Sequence, residues 1–422
     1  MASSADVTAH LNESFGAVRE TLLSWTRVAA GDGDHRTLLL NYLTEAGLGE
    51  TVMLGASSFG MKMRRGSDSP GLLIVGSHDA STLSSVPHSG SVTPGQLRGP
   101  GTGSLVGPLL AFVEGLRAAV RAGVDVPPID LLSVGPGDTL ASVLAAFAPR
   151  ETQAVAWTHA LSWNPEAPTI TTGSRGVLDI ELSLAAPSAV NDDAYAGAAV
   201  NPLNEMVRLL GTLRDPRGKI ALDGFYNRAQ TAPRDELTPL EPTAWQHSIG
   251  AAVPSGSLSG IERATVWPTI SVLELDARGG DANSTPSQAR ARLAFHLISD
   301  QRPVEVEQSV RTWFGDKRSP ALEGILRVHR SARPYRSSLD DAAVVSQMRA
   351  TKRVHRRVPS IVPAGGAPGA GEVHYATNAP VCFFGLCGPA ERWGTTDETL
   401  TERQFEDGVA RAAFFVEDLA RS

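Results

Sequence analysis

From residue 72 to residue 157, short apolar runs alternate with helical spacing, and near residue 177 the apolar period changes to two. Residues 72–76 (LLIVG) and 128–134 (PIDLLSV) are runs of the kind that fill a parallel strand buried on both faces. Between them, 105–121 (LVGPLLAFVEGLRAAVR) carries helical periodicity, and a second helix at 140–147 precedes the apolar run 154–157. Strands alternating with helices predict a mainly parallel sheet with helices on both faces. From 177 (VLDIELSL) apolar and polar positions alternate, as on a half-exposed strand, and so do 271–275 and 291–298, with an amphipathic helix at 201–213. The fold class expected is α/β: a helix-covered core domain over 1–176 and 303–422, with a smaller α/β lid inserted at 177–302. Residues 304–314 are expected to return the chain to the core domain. Helices over 7–30, closed by the Gly31–Gly33 breaker cluster, and over 402–419 are expected to flank it. The loop 358–371 (VPSIVPAGGAPGAG), too poor in side chains to pack, is expected either to be mobile or to lie near the pocket mouth.

The length of 422 residues exceeds the ~250–300 at which one core usually splits, in keeping with two domains. A hydrophobic share of 42% with 20% charged residues is ordinary for a globular chain. Net charge of -7 gives no footprint for nucleic acid or an anionic membrane, and the short KRVHRR run at 352–357 reads as a solvated helix end. No apolar run approaches the ~18–20 residues of a membrane span, and MASSADVTAHLNESFG lacks the basic end and apolar stretch of a signal peptide, so a cytoplasmic protein is expected. Cys382 and Cys387 lie in an apolar strand-like run with wider spacing than a redox pair, and are expected as buried free thiols. Abundant Ala, Gly and Pro, with arginine well above lysine, is the composition of a GC-rich bacterial genome. No internal repeat is found.

Chemistry-bearing residues fall in a few turns. GSHDAST holds Ser77, His78 and Asp79; GTGSLVGPLLAF places Ser104 in a Gly-rich turn that opens a helix, either a structural turn or a cradle for an anion. VGPGDTLAS holds Asp138 and Thr139, WTHALSWNPEAP holds His159, and RWGTTDE holds Trp393, Gly394 and Glu398. The lid segments AVNDDAYAG and LAFHLISDQ contribute Asn191 and His296.

These segments, in this order, together with VNPLNEMVRLLGTLRDPRGKIALDGFYN at 200–227 and WPTISVLELDARGGDANSTPSQARARLAFHLISDQRP at 267–303, resemble the zinc dipeptidase, carnosinase and aminoacylase superfamily over nearly the whole chain. The resemblance implies a site where two zinc ions share a bridging carboxylate and a water that a glutamate deprotonates. That chemistry needs His and Asp/Glu ligands at fixed places. Carried over position by position, the first histidine falls on Ser77, with Asp79 retained. The neighbouring His78 points to the opposite face of an extended chain. The bridging aspartate falls on Ser104 and the last histidine on Gly394, with Glu398 retained. The glutamate pair falls on VGPGDTLAS, where Asp138 takes one position and Thr139 or Gly137 the other. The aspartate upstream of the lid falls on His159, a residue still able to bind zinc. The lid histidine that serves the partner subunit's site falls on Asn191, and the lid arginine that grips a substrate carboxylate falls on His296, which matches that role only when protonated.

A donor set this depleted falls short of the three protein ligands of a catalytic zinc, so no metal cofactor is expected. The leading expectation is a metal-independent, repurposed protein that binds and transforms an amino-acid-derived or peptide-like small molecule. Asp138 and His159 are the candidate base and acid, Asp79 orients, and Glu398 is a further titratable group. Ser77, His78, Ser104 and Thr139 line the cleft, Asn191 donates from the other subunit, His296 faces substrate and Trp393 is an apolar wall. Two alternatives stand beside it: a non-catalytic binding or scaffold protein, and an active zinc dipeptidase or deacylase with non-standard ligands. The resemblance also implies a homodimer joined through the lids, for which Leu203, Met206, Val207 and Leu210 offer an apolar helix face.

Overall fold

The computed structural model describes residues 35–63, 69–78, 91–93, 95–163, 168–187, 197–229, 260–279 and 284–421, with isolated helical positions at 9, 16, 20, 22 and 24. Most of the helix expected over 7–30, with Asp79 and Asn191, lies outside these. The described chain divides into two compact units, one of residues up to 174 and from 336 on, the other of 175–229 and 262–335.

The first unit is built on a six-stranded sheet. Its strands are β1 (Glu50–Leu54), β2 (Ser58–Met63), β3 (Gly71–Gly76), β6 (Ile129–Ser133), β7 (Thr152–Trp157) and β14 (Val381–Phe383), ordered β1-β2-β6-β3-β7-β14. β3 pairs in parallel with β6 and β7, and β7 with β14, while β1 and β2 form an antiparallel flank. All six residues of β3 are buried, as its unbroken apolar run requires. Two short strands, β4 (Ser91–Thr93) and β5 (Gln96–Arg98), form a separate three-stranded sheet with β15 (Thr399–Thr401).

α2 (Val106–Arg121) connects β3 to β6 and packs against the last helix, α8 (Glu402–Leu419). The close approach depends on Gly115, where an added Cβ would lie 2.5 Å from the Val409 carbonyl oxygen. Phe112, Phe384 and Phe415 meet edge to face beside it, with centroids 4.8–6.2 Å apart. Thr401 caps α8 in a reciprocal box with Gln404, which fixes where the helix starts. α1 (His35–Glu45) buries Leu39 and Leu43 in the same core, and α3 (Leu140–Phe147) follows β6. Cys382 and Cys387 are free and buried, and burial pushes both thiols up from their ordinary range.

Of the two expectations for the loop over 358–371, mobility is not met, because the loop is tied down, while Pro368 within it does line a pocket. Residues 360–362 form a strand, β13 (Ser360–Val362), parallel to β8 (Thr169–Thr171). The amides of Gly365 and Gly366 reach the Gly173 carbonyl at 3.1 Å, and Val362, Ala364 and Ala367 are buried. Small side chains let the backbone pack where larger ones could not. Beyond it come α7 (Ala370–Thr377) and β14, with α6 (Ala342–His355) earlier in the chain.

The second unit is a four-stranded antiparallel sheet of β9 (Gly176–Ala185), β10 (Thr269–Arg278), β11 (Gln288–Leu297) and β12 (Glu323–Ala332), ordered β10-β11-β9-β12. Leu178, Ile180, Leu182 and Leu184 of β9 project into one core with Met206, Leu209, Val310 and Phe314 of the helices α4 (Pro202–Gly211) and α5 (Pro303–Lys317). Asn201 caps α4, its side-chain oxygen accepting the Leu203 and Asn204 amides. The return of the chain to the core domain, expected at 303, occurs near residue 335. α5 packs on the lid sheet and β12 extends it by pairing along β9. No described helix is long and apolar enough to cross a membrane.

Candidate functional site

β6, β3 and β7 are adjacent, and the turns at their carboxyl ends face a common pocket of about 230 Å³. This is the position at which open α/β sheets bind ligands. Among the described residues, Val75, Gly76 and Ser77 line it at the end of β3, Val134, Gly135 and Pro136 after β6, and Trp157 and His159 at the end of β7, with Leu140 and Pro368 completing the wall. Of the expected site residues, Ser77 and His159 are therefore brought together. Sequence reasoning missed Pro136, Leu140, Trp157 and Pro368; the available signal was their place at strand ends and in Gly/Pro-rich turns.

His159 is held by its backbone. Its carbonyl oxygen accepts the Trp157 indole N–H and the Ala367 amide, both at 2.9 Å, so the tied loop after 358 fixes its position. The Trp393 ring lies against the imidazole with centroids 5.1 Å apart, which places Trp393 beside His159 as an apolar neighbour. Ser77 and His78 diverge as an extended chain demands. His78 is buried, its Nδ1 2.8 Å from the Ser133 hydroxyl and its ring 5.5 Å from Phe59, so it belongs to the core and not to the cleft lining expected of it.

Asp138, expected as a base, has its carboxylate committed to a turn. Its two oxygens accept the amides of Ala56, Ser57 and Ser58 at 2.9–3.1 Å, together with the hydroxyls of Ser57 and Ser58. These donors hold the carboxyl far below the ordinary carboxylate range, the backbone N–H of Ser57 contributing most. Gly55 opens that turn at φ +69°, and a Cβ there would meet the Asp138 carboxylate at 2.5 Å. Thr139 is equally occupied: it caps α3, its hydroxyl oxygen accepting the Ser142 amide at 3.2 Å, and it does not line the pocket among the described residues.

Glu398 has a similar fate. Its Oε2 accepts the amides of Gly103 and Ser104 at 2.8 and 3.0 Å, and its Oε1 the Gly394 amide at 2.6 Å. The Gly-rich turn before α2 thus holds a carboxyl oxygen, and it belongs to the chain's own Glu398. Burial pushes the Glu398 carboxyl above its ordinary range, and the amides and the Ser104 hydroxyl beside it pull in the opposite direction. Ser104 is fully buried in this contact and is not among the pocket's described lining residues, against expectation.

In the second unit, His296 is partly buried on β11, opposite Thr269. Burial, then the neighbouring Arg175 guanidinium, lowers its pKa to about 4. It is neutral at physiological pH, so it lacks the charge needed to hold a carboxylate. The donor chemistry does not fit a dinuclear zinc centre either. Ser77, Ser104 and Gly394 stand at three positions to which the resemblance assigns ligands, Glu398 and Asp138 accept backbone amides, and among the described residues, which leave out Asp79, no three His, Cys, Asp or Glu side chains gather in a metal-binding group.

Fold and lid define the class: a two-domain α/β protein of peptidase type, with a catalytic-type core and a dimerisation-type lid. Residues 193–320 match the family model described as the peptidase dimerisation domain, M20_dimer. The Cys-Gly metallodipeptidase dug1 of Schizosaccharomyces pombe is 24% identical over 307 residues, which are 65% of this chain and 62% of that protein's length. The dipeptidase Dug1p of Saccharomyces cerevisiae superposes over 100% of both chains with a TM-score of 0.82 at 16% identity. Human carnosine dipeptidase 1 superposes over 99% of this chain and 100% of its own with a TM-score of 0.77 at 15% identity. The chain is a divergent relative of the M20 metallopeptidases.

Proposed function

We propose that this chain is a cytoplasmic, metal-independent member of the peptidase fold that binds an amino-acid-derived or peptide-like small molecule at the carboxyl ends of β6, β3 and β7. Among the described residues His159 is the titratable group lining that site, and two copies join through their lids. The observation that carries the reading is the pairing of Asp138 and Glu398 with backbone amides while Ser77 and His159 face the pocket. Transformation of the ligand then rests on His159 acting as acid and base in turn. The locked Asp138 favours the second reading, a non-catalytic binding protein with the same ligand class.

Metal analysis of protein purified without chelator tests the first half. The expected content is well below one zinc per chain; about two zinc per chain with zinc-restored dipeptide hydrolysis would return the protein to the active metallopeptidases. His159→Ala is expected to weaken ligand binding at least tenfold while leaving thermal unfolding unchanged. Unchanged binding would remove His159 from the site.

A further inference from the structure

The pocket beside His159 is walled mainly by apolar side chains. Val75, Val134, Pro136, Leu140, Trp157 and Pro368 surround it, and no lysine, arginine, aspartate or glutamate lines it among the described residues. Trp157 is nearly fully buried and directs its indole N–H away to the His159 carbonyl, so the ring presents an apolar surface. Its size discriminates further. An apolar cavity of about 150 Å³ accepts benzene, so 230 Å³ accommodates an aromatic ring or a branched aliphatic group.

We infer that this pocket is a specificity subsite for an uncharged aromatic or branched-aliphatic side chain of an amino-acid derivative, with the polar part of the ligand toward Ser77 and His159. The inference rests on the binding reading above and deepens it. A charged side chain placed here would leave water with no counter-charge among the described residues of the wall, and a glycine derivative would leave the pocket unfilled. Burial of a phenylalanine or leucine side chain is large enough to separate these ligands by at least about tenfold in Kd.

Calorimetric titration of the full chain with N-acetyl derivatives of phenylalanine, leucine, glycine, lysine and glutamate reads this directly. Phenylalanine and leucine derivatives are expected to bind at least tenfold more tightly than the other three. Leu140 stands at the start of α3 and is only half-buried, so its size can be changed with little cost to the core. Leu140→Trp should fill the pocket and weaken the phenylalanine derivative at least tenfold. Leu140→Ala should enlarge it and shift preference toward a naphthylalanine derivative. If all five derivatives bind within about twofold of one another, or if neither Leu140 variant moves the preference, the apolar subsite is overturned while the binding reading stands. If none of the five binds, both fall.

Discussion

The Glu398 carboxylate reaches back four residues to the Gly394 amide at 2.6 Å while its other oxygen holds the Gly103 and Ser104 amides. One buried side chain thus ties the turn before α2 to the turn before β15. In the resembled peptidases these two turns would carry ligands to shared metal. Here a hydrogen-bonded carboxylate joins them. Gly394 sits at φ +79°, a conformation in which a histidine would be strained.

Glu398→Ala should therefore cost about 2–4 kcal/mol, because it leaves two buried amides without an acceptor. Glu398→Gln should cost less, since one acceptor oxygen survives. Urea unfolding checks both, and a loss below about 1 kcal/mol for the alanine variant would mean that the two turns are held by other contacts.

Asp138 should make stability depend on acid pH. Its folded pKa lies below the ordinary 3.8, so the unfolded chain binds the proton more readily. The stabilisation is therefore present above about pH 4 and is lost as pH falls through the folded value. The unfolding temperature of the native chain should exceed that of Asp138→Asn at pH 6, and the gap should narrow toward pH 3. A gap that stays constant over that range would show that the carboxylate is not what the Ala56–Ser58 turn needs.

His296 titrates in the other unit. A folded pKa near 4, against an ordinary value of 6.5, means that the unfolded state takes up the proton first as pH falls. Its contribution is present above pH 6.5 and is lost between 6.5 and 4. Imidazole resonances followed by NMR should show no His296 titration above pH 5. A midpoint above 6 would restore the protonated, carboxylate-pairing role first expected of it.

Some of this was legible in sequence because it is written locally. β3 is a continuous apolar run and β6 a largely apolar one, as strands buried on both faces require. β12 was not legible, because its Ile325, Arg327, Val328 and His329 are mostly exposed on an edge strand, and a solvated edge carries no clean alternation. The roles of Asp138 and Glu398 were invisible for another reason. Their partners are backbone amides some 80 and 295 residues away in sequence, and an amide has no residue-type signature. The position of Asp138 resembled that of a base, whereas its environment made it a turn anchor. Ser77 and His159, singled out through the resemblance, both line the pocket because they follow β3 and β7, where sheet topology gathers side chains whatever their chemistry.

The proposed dimer rests on β10, a terminal strand of the lid sheet, more than on the helix first singled out. Met206 is fully buried in the lid's own core and Leu203 and Leu210 pack against it, leaving Val207 as the exposed apolar residue of that face. On β10, by contrast, Val272, Leu273 and Leu275 are 54%, 53% and 44% exposed, beside an edge of unpaired backbone. An exposed apolar edge strand is a template for pairing with another chain, and monomeric proteins usually blunt such edges with charge. The match of residues 193–320 to a peptidase dimerisation domain favours a second copy as the occupant. Light scattering at micromolar concentration should give twice the chain mass, since an interface of this class buries well over ~1,000 Å². Leu273→Lys places a charge on that edge and should give the single-chain mass with an unchanged lid core. A native chain that scatters as a monomer, or a Leu273→Lys chain that remains dimeric, would move the interface elsewhere.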